Sequence, residues 1–276
     1  MILTPEDIHK LGNQLEIWLR MRVHPIAVKM LKNRDEIPED ALLPTRDWGH
    51  KYALCQSLAK SQRDGMTIAM FKEDLWCFEP AVGLGFVETT PFFLEGHHRY
   101  PDSVRDRKAA SEWCKNMPHF EFGKYKGIVS APVNNCSFMP DLIVMHVNGM
   151  MTSQLLIVQC WVNGKDLSCQ LSGHAACVYS IVPAMLKKEC HVAIPCKGDR
   201  RLAAAQDDEI LFTIPPEMLP DFIEGANFLQ KRNWGIPMIQ EYKEEYDLKP
   251  GYKKLADRLG LDTKKSPPRE QQYQKH

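Results

Sequence analysis

The sequence predicts an α/β protein whose mixed sheet is flanked by helices and which folds as a single compact unit. Stretches with helical spacing of apolar residues alternate along the chain with short apolar runs typical of strands, which is the pattern of the α/β class. A chain of 276 residues that is 44% hydrophobic can bury a large core. No Pro/Gly-rich linker interrupts its middle, so one domain is expected over residues 1–249, followed by a polar, proline-containing and flexible tail at 250–276.

The first half of the chain begins with a helix signal at Thr4-Pro5-Glu6-Asp7, where a capping residue, a proline and acidic residues come in the order typical of a helix start. Apolar residues then recur at helical spacing from Ile8 to Leu19, which predicts an amphipathic helix over residues 5–22. Further helices are expected at 50–62 and 102–116, and strands at 24–31, 66–71, 127–133 and 142–148. Residues 81–101 are rich in glycine and proline, which predicts a loop with short pieces of structure.

The second half continues the alternation of helices and strands. The apolar segment 150–162 fits either a strand or a helix, and its length and flanking Asn-Gly pairs favour a buried helix. Helices are expected at 172–188 and 216–232, and strands at 191–196 and 209–215. We expect the sheet to be mixed, as is common in this class.

The charge balance and the apolar runs limit the possible functions. Lys+Arg and Asp+Glu both number 35, so the strongly basic surface of a nucleic-acid-binding protein is not expected. The N-terminus lacks the continuous apolar region of a secretory signal, and no apolar run reaches the roughly 18 residues of a membrane span. The sequence therefore predicts a soluble cytoplasmic protein. There, nine cysteines indicate metal binding or redox chemistry rather than disulfides.

Four of these cysteines form two similar pairs. Cys55 lies in a predicted helix and Cys77 follows the next predicted strand; Cys177 and Cys196 repeat this order, with 21 residues between the first pair and 18 between the second. Thiolates are soft ligands that suit iron–sulfur clusters and zinc. We expect the four sulfurs to converge on one site, although the spacing differs from the local C-x2-C motif and the fold must bring them together.

Several segments resemble an uncharacterised family of bacteria and archaea, catalogued as domain of unknown function 169. They are RVHPIAVKML, CQSLAK, KEDLWCFEPAVGLGF, PDLIVMHVN, SGHAAC and IPCKGDRRLAAAQDDEILFTIP, which occur in this order over roughly residues 1–232. The resemblance implies that Cys55, Cys77, Cys177 and Cys196 occupy cysteine positions of the family. It implies no such role for the remaining five cysteines, and the family brings no known activity.

Two further residues are candidates for the same site. His174 precedes Cys177 by three residues and shares its helix face, so it could be a ligand or a proton donor, or a histidine bonded locally at a helix cap. Arg200 follows Cys196 closely, and its planar guanidinium could anchor a carboxylate or phosphate. Alternatively, Arg200 pairs with Asp199, Asp207 or Asp208 and simply holds the loop.

The sequence therefore favours a cysteine-ligated cofactor protein, with an iron–sulfur cluster as the expected cofactor. Its expected role is electron transfer or reductive chemistry on a small anionic molecule, with a redox protein as the other possible partner. Two alternatives remain open: a zinc-stabilised binding or accessory protein, and a metal-free ligand-binding module whose cysteines are core residues. We expect Cys136 and Cys160, which have apolar neighbours in the sequence, to be dispensable core thiols.

Overall fold

The computed structural model describes residues 3–232, 234–235 and 248–261. The chain divides into two compact units, residues 1–236 and 237–276. The first unit contains the whole sheet. The described part of the second contains a single helix, α11, which lies in the segment for which the sequence predicted a flexible tail.

A six-stranded sheet in the order β2-β3-β1-β4-β6-β5 forms the centre of the first unit. All pairs of neighbouring strands in it are antiparallel, and parallel pairing between described residues is confined to the isolated bridges Leu42–Ile68 and Tyr52–Leu75. The strands are β1 (Ile26–Leu31), β2 (Ile68–Phe71), β3 (Gly127–Pro132), β4 (Leu142–Val147), β5 (His191–Ala193) and β6 (Ile210–Ile214).

Helices account for more of the chain than strands do. In the described residues they are α1 (Pro5–Leu19), α2 (Pro44–Trp48), α3 (Leu54–Asp64), α4 (Phe78–Gly83), α5 (Pro91–Leu94), α6 (Arg107–Asn116), α7 (Gly149–Asn163), α8 (Ala176–Lys187), α9 (Lys197–Leu202), α10 (Leu219–Lys231) and α11 (Pro250–Arg258). None of them is both long and apolar enough to cross a membrane.

The sheet separates two hydrophobic cores. On β1, Ile26, Val28 and Met30 enter one core, and Ala27 and Leu31 enter the other, as the two-residue period of a strand requires. The first core is completed by α3, α4, α6 and α8, and the second by α1, α7 and α10. Both faces of the sheet are therefore covered by helices, which confirms the predicted α/β class.

The element boundaries follow local chemistry. The helix start predicted at Thr4 is confirmed, because the Thr4 hydroxyl accepts the backbone N–H of Asp7 while the Asp7 carboxylate accepts that of Thr4. The segment 150–162 is helical, within α7. The helix predicted from residue 172 begins later, since Ala175 has a left-handed backbone with φ of 51°. The strand predicted to reach Cys196 ends at Ala193, because Pro195 has no N–H for a ladder.

Candidate functional site: a cavity lined by four cysteines

All four paired cysteines line one cavity of about 330 Å³. Cys55 and Cys77 come from the N-terminal half of the chain, and Cys177 and Cys196 from the C-terminal half. Cys55 and Cys77 also pack together with Ala53, Ala59 and Ala203 in a small apolar cluster of their own. The cavity, which we call the cysteine cavity, is thus formed where two distant parts of the sequence meet.

Each of these cysteines stands at the beginning of a helix. Cys55 and Cys177 are the second residues of α3 and α8, while Cys77 and Cys196 are the residues that precede α4 and α9. The first N–H groups of a helix have no partner within it and carry partial positive charge. Backbone N–H groups accordingly favour the thiolate form at three of the sulfurs: that of Gln56 at Cys55, that of Glu79 at Cys77, and those of Asp199 and Ala176 at Cys196.

Burial nevertheless keeps all four sulfurs protonated at neutral pH. It raises the pKa of Cys77 to about 12 and is the largest cause of the raised pKa values of Cys55, Cys177 and Cys196. Neighbouring thiols also raise the pKa values of Cys55, Cys77 and Cys177, because negative charges placed on neighbouring sulfurs would repel. A positively charged centre between them would remove this repulsion and release their protons.

Asp199 is a buried carboxylate in the wall of the cysteine cavity. Its exposed fraction is 2%, and its Oδ2 accepts the backbone N–H of Cys196 at 3.0 Å. Burial raises the pKa of Asp199 above its ordinary value, and its charge in turn raises the pKa values of Cys55, Cys177 and Cys196. Asp199 therefore both holds the start of α9 and opposes ionisation of the thiols.

A second set of charged side chains lies beside the thiols. The Cys77 thiol donates to the Glu79 carboxylate at 3.6 Å, and the other oxygen of Glu79 lies 2.9 Å from Arg99 Nη2. The Arg99 guanidinium stacks over the Trp113 ring at 4.0 Å from its centroid and is only 7% exposed. Glu79 thus connects the cysteines to a buried arginine whose orientation is fixed by both an ion pair and a ring contact.

Two histidines border this group. His174 lines the cavity, meets the edge of Trp113 at 5.7 Å between ring centroids, and has its backbone N–H bonded to Ser172 Oγ at 3.1 Å. His98 stacks on Phe93, and its Nε2 lies 3.9 Å from Glu79 Oε1. Burial lowers the pKa of both imidazoles, so each is neutral at neutral pH.

The other residues singled out from the sequence lie elsewhere. Arg200 does not line the cysteine cavity; its Nη1 donates to the Gln206 carbonyl at 2.9 Å and to Asp207 Oδ1 at 3.1 Å. This arrangement matches the alternative in which Arg200 holds its loop.

Cys136 is fully buried and its thiol donates to the Val133 carbonyl, as expected for a core thiol. Cys160 is exposed, so the expectation that it is a core residue is wrong.

Sequence reasoning missed Glu79, Arg99 and Trp113. Glu79 lies in KEDLWCFEP, two residues after Cys77. An acidic residue this close to a predicted ligand could have been recognised as a candidate for the same site. Arg99 follows a pair of histidines in a segment that the sequence predicted to be loop. Only the packing of that loop against α6 brings its guanidinium to Trp113.

The donor set determines what the cavity can hold. Within the described residues, no three His, Cys, Asp or Glu side chains are gathered closely enough to hold a single metal ion. The four sulfurs instead surround a space. Four thiols, three of which have backbone N–H groups directed at them, fit a soft, multi-atom centre better than a hard cation that needs oxygen ligands.

Comparison with known proteins gives relatives without known functions. The sequence model of a family described as an uncharacterised ArCR matches residues 14–225, which covers all four paired cysteines. An uncharacterized protein of Methanocaldococcus jannaschii is 25% identical over 209 residues, which is 75% of this chain and 88% of the relative. No solved structure matches.

Proposed function

We propose that this chain, which belongs to the domain of unknown function 169 family, is a cysteine-ligated cofactor protein that carries an iron–sulfur cluster. Its role in the proposal is electron transfer or reductive chemistry on a small anionic molecule. The observation that carries the proposal is that Cys55, Cys77, Cys177 and Cys196 line one cavity although they come from separate helices.

The residues fit such a cluster in three respects. The donors are four thiols, the usual ligands of iron–sulfur clusters. Backbone N–H groups reach three of the sulfurs, and hydrogen bonds of this kind stabilise thiolates and tune the potential of a cluster. The beginnings of α3 and α8 add partial positive charge, which favours the net negative charge of a thiolate-bound cluster.

Zinc is the other centre that four thiols could hold. A single zinc ion draws four sulfurs to about 2.3 Å from one point, which places them within roughly 4 Å of one another. The sulfurs here surround a cavity and do not form a group of that kind in the described residues. The cavity of about 330 Å³ would leave room for a multi-atom cluster held by Cys55, Cys77, Cys177 and Cys196.

Side chains beside the thiols would bind the anionic molecule and exchange a proton with it. Arg99 presents a guanidinium whose Nη2 is paired with Glu79 and whose face rests on Trp113. Its Nη1 forms no hydrogen bond to any described residue, so it can bind a carboxylate or phosphate. The neutral imidazole of His174 lines the same cavity and can supply or accept a proton there. The cluster, when bound, would supply single electrons.

The proposal includes a reducing, cytoplasmic location. All nine cysteines are free thiols, including the exposed Cys160. Free thiols persist where glutathione and thioredoxin keep cysteines reduced.

Metal analysis of the purified protein tests the proposal. We expect anaerobically purified protein to be brown, with broad visible absorption and equal amounts of iron and acid-labile sulfide. Cys77→Ser and Cys196→Ser should each lose most of the iron, because serine is a poor ligand for a soft centre.

Cys136→Ser and Cys160→Ser are the matched controls. Both change a thiol outside the cysteine cavity, and we expect iron content to equal that of the unchanged protein. A colourless protein with one equivalent of zinc would replace the proposal with the zinc alternative. Full length protein that stays metal-free after anaerobic reconstitution with iron and sulfide would favour the ligand-binding module.

A further inference from the structure

A second cavity, of about 270 Å³, shares no lining residue with the cysteine cavity. Its wall combines the chain that follows α1, the C-terminal end of α3, the end of β4 and the loop that precedes β6. Met21, Val23 and Met151 supply an apolar part of this wall. The remaining lining residues are polar or charged, so the cavity has an apolar side and a polar side.

Four charged side chains line the polar side, and two of them are already bonded to other residues of the wall. Arg63 donates to the Ala204 carbonyl at 3.0 Å and lies 4.0 Å from Glu209, which in turn accepts the backbone N–H of Gln206. Arg22 and Asp208 also line the cavity. Neither has a hydrogen bond or ion pair to the part of the chain that the structure describes. One positive and one negative group are thus left for a ligand.

His146 reaches this cavity from β4. Its exposed fraction is 6%, and it makes no hydrogen bond to a described residue. Its Nδ1 is sealed within the protein without a partner, so Nε2 is the nitrogen that can meet a ligand. Burial, assisted by the nearby charge of Arg63, lowers the pKa of His146 to about 4, so its ring offers a neutral polar contact at neutral pH. A buried polar ring without a partner costs stability unless a ligand or water satisfies it.

We propose that this second cavity binds a small zwitterion with an apolar side chain, of the α-amino-acid class. Arg22 would bind the carboxylate, Asp208 would bind the ammonium group, and the side chain would lie against Met21, Val23 and Met151. The balance of charges explains the choice: Arg22 and Arg63 offset Asp208 and Glu209, so a ligand with a single charge would pair with only one of the two exposed groups Arg22 and Asp208. The proposal does not depend on any cofactor at the cysteines.

Three probes of matched size test the proposal by calorimetry on the full chain. They are L-leucine, 4-methylpentanoate, which lacks the ammonium group, and 3-methylbutylamine, which lacks the carboxylate. We expect L-leucine to bind and to raise the melting temperature with concentration. Each analogue should bind at least about tenfold more weakly, because a charged group of the protein loses its partner.

Variants of the two exposed charged residues, Arg22 and Asp208, locate the site. Arg22→Gln should weaken L-leucine binding at least about tenfold, with a smaller effect on the amine, and Asp208→Asn should weaken L-leucine binding while sparing the carboxylate. Arg105→Gln removes an exposed arginine outside the cavity and should change nothing. The proposal is overturned if L-leucine shows no binding, if both analogues bind as well as L-leucine, or if Arg22→Gln and Asp208→Asn bind it with unchanged affinity.

Discussion

Arg99 combines three contacts at one buried guanidinium. Glu79 pairs with its Nη2 at 2.9 Å, the Trp113 ring supports its face, and Cys114 lies close enough for the Arg99 charge to lower the pKa of that thiol against the larger effect of burial. Arg99 is buried and Glu79 is half-buried, so the pair costs desolvation energy that a surface pair would not. Retaining an arginine at this cost is understandable if its free Nη1 binds a ligand.

Arg99→Lys tests that role. Lysine keeps the positive charge but loses the planar fork and the stacking on Trp113, so anion binding should weaken by about tenfold or more. The measurement is titration of the cluster-loaded protein with inorganic phosphate and with acetate, followed by visible absorption or electron paramagnetic resonance. Cofactor content should stay unchanged, which separates loss of the anchor from loss of the cluster.

Arg200→Lys is the matched comparison. Because Arg200 is held by Gln206 and Asp207, this variant should bind the same anions normally and lose a little thermal stability. The reverse result, with weakened binding only in Arg200→Lys, would return the role of anchor to Arg200. The sequence pointed to Arg200 because it follows Cys196 by four residues. It gave no means of seeing that a loop much earlier in the chain places Arg99 beside the cysteines.

Helices α4 and α8 set the positions of Cys77 and Cys177 by direct packing. A Cβ atom at Gly83, in α4, would lie 2.5 Å from Val178 Cγ1, in α8. Val178 is the residue after Cys177 and is fully buried. Only glycine therefore allows the two helices to approach as closely as they do.

Gly83→Ala should force α4 away from α8. We expect a loss of about 1–3 kcal/mol in the free energy of unfolding, from overpacking of a buried contact, together with lower iron content. Urea unfolding and metal analysis of the same preparation measure both effects. Gly149→Ala is the control, because no atom of another described segment lies within 4 Å of the added Cβ. Equal stability and iron content in the two variants would show that this contact does not position the cysteines.

At this scale the sequence was a good guide to the strands and the longer helices. The periodicity of β1 and the capping residues of α1 are local properties, so they could be recognised without the structure. The start of α8 could not, because Ala175 adopts φ of 51° only in its folded context. The antiparallel pairing of the six strands also depends on contacts between distant segments, which a single sequence does not display.

At the scale of the whole molecule, the cysteine cavity joins two halves of the chain. Residues 53–80 and 173–202 supply most of its wall, with Arg99 and Ser103 between them. A cofactor bound by all four thiols would therefore cross-link segments more than 90 residues apart in sequence. In the metal-free protein the same thiols are instead buried acids, and their titration links the stability of the fold to pH.

The metal-free, reduced protein should lose stability in alkali because of these thiols. Burial raises the pKa of Cys77 from 9.0 to about 12. Below pH 9 the thiol is protonated in both the folded and the unfolded chain, so its titration has no effect. Between pH 9 and 12 only the unfolded chain ionises, which lowers the free energy of unfolding by up to about 1.4 kcal/mol per pH unit for one thiol.

Cys77→Ser removes this titration. Urea unfolding of both proteins from pH 8 to 10.5 should therefore show the unchanged protein losing stability faster than Cys77→Ser above pH 9. Lysine and tyrosine residues titrate equally in the two proteins and cancel in the difference. Parallel stability curves over this range would mean that Cys77 ionises in the folded protein as readily as in the unfolded chain, and that it is not a buried ligand awaiting a cofactor.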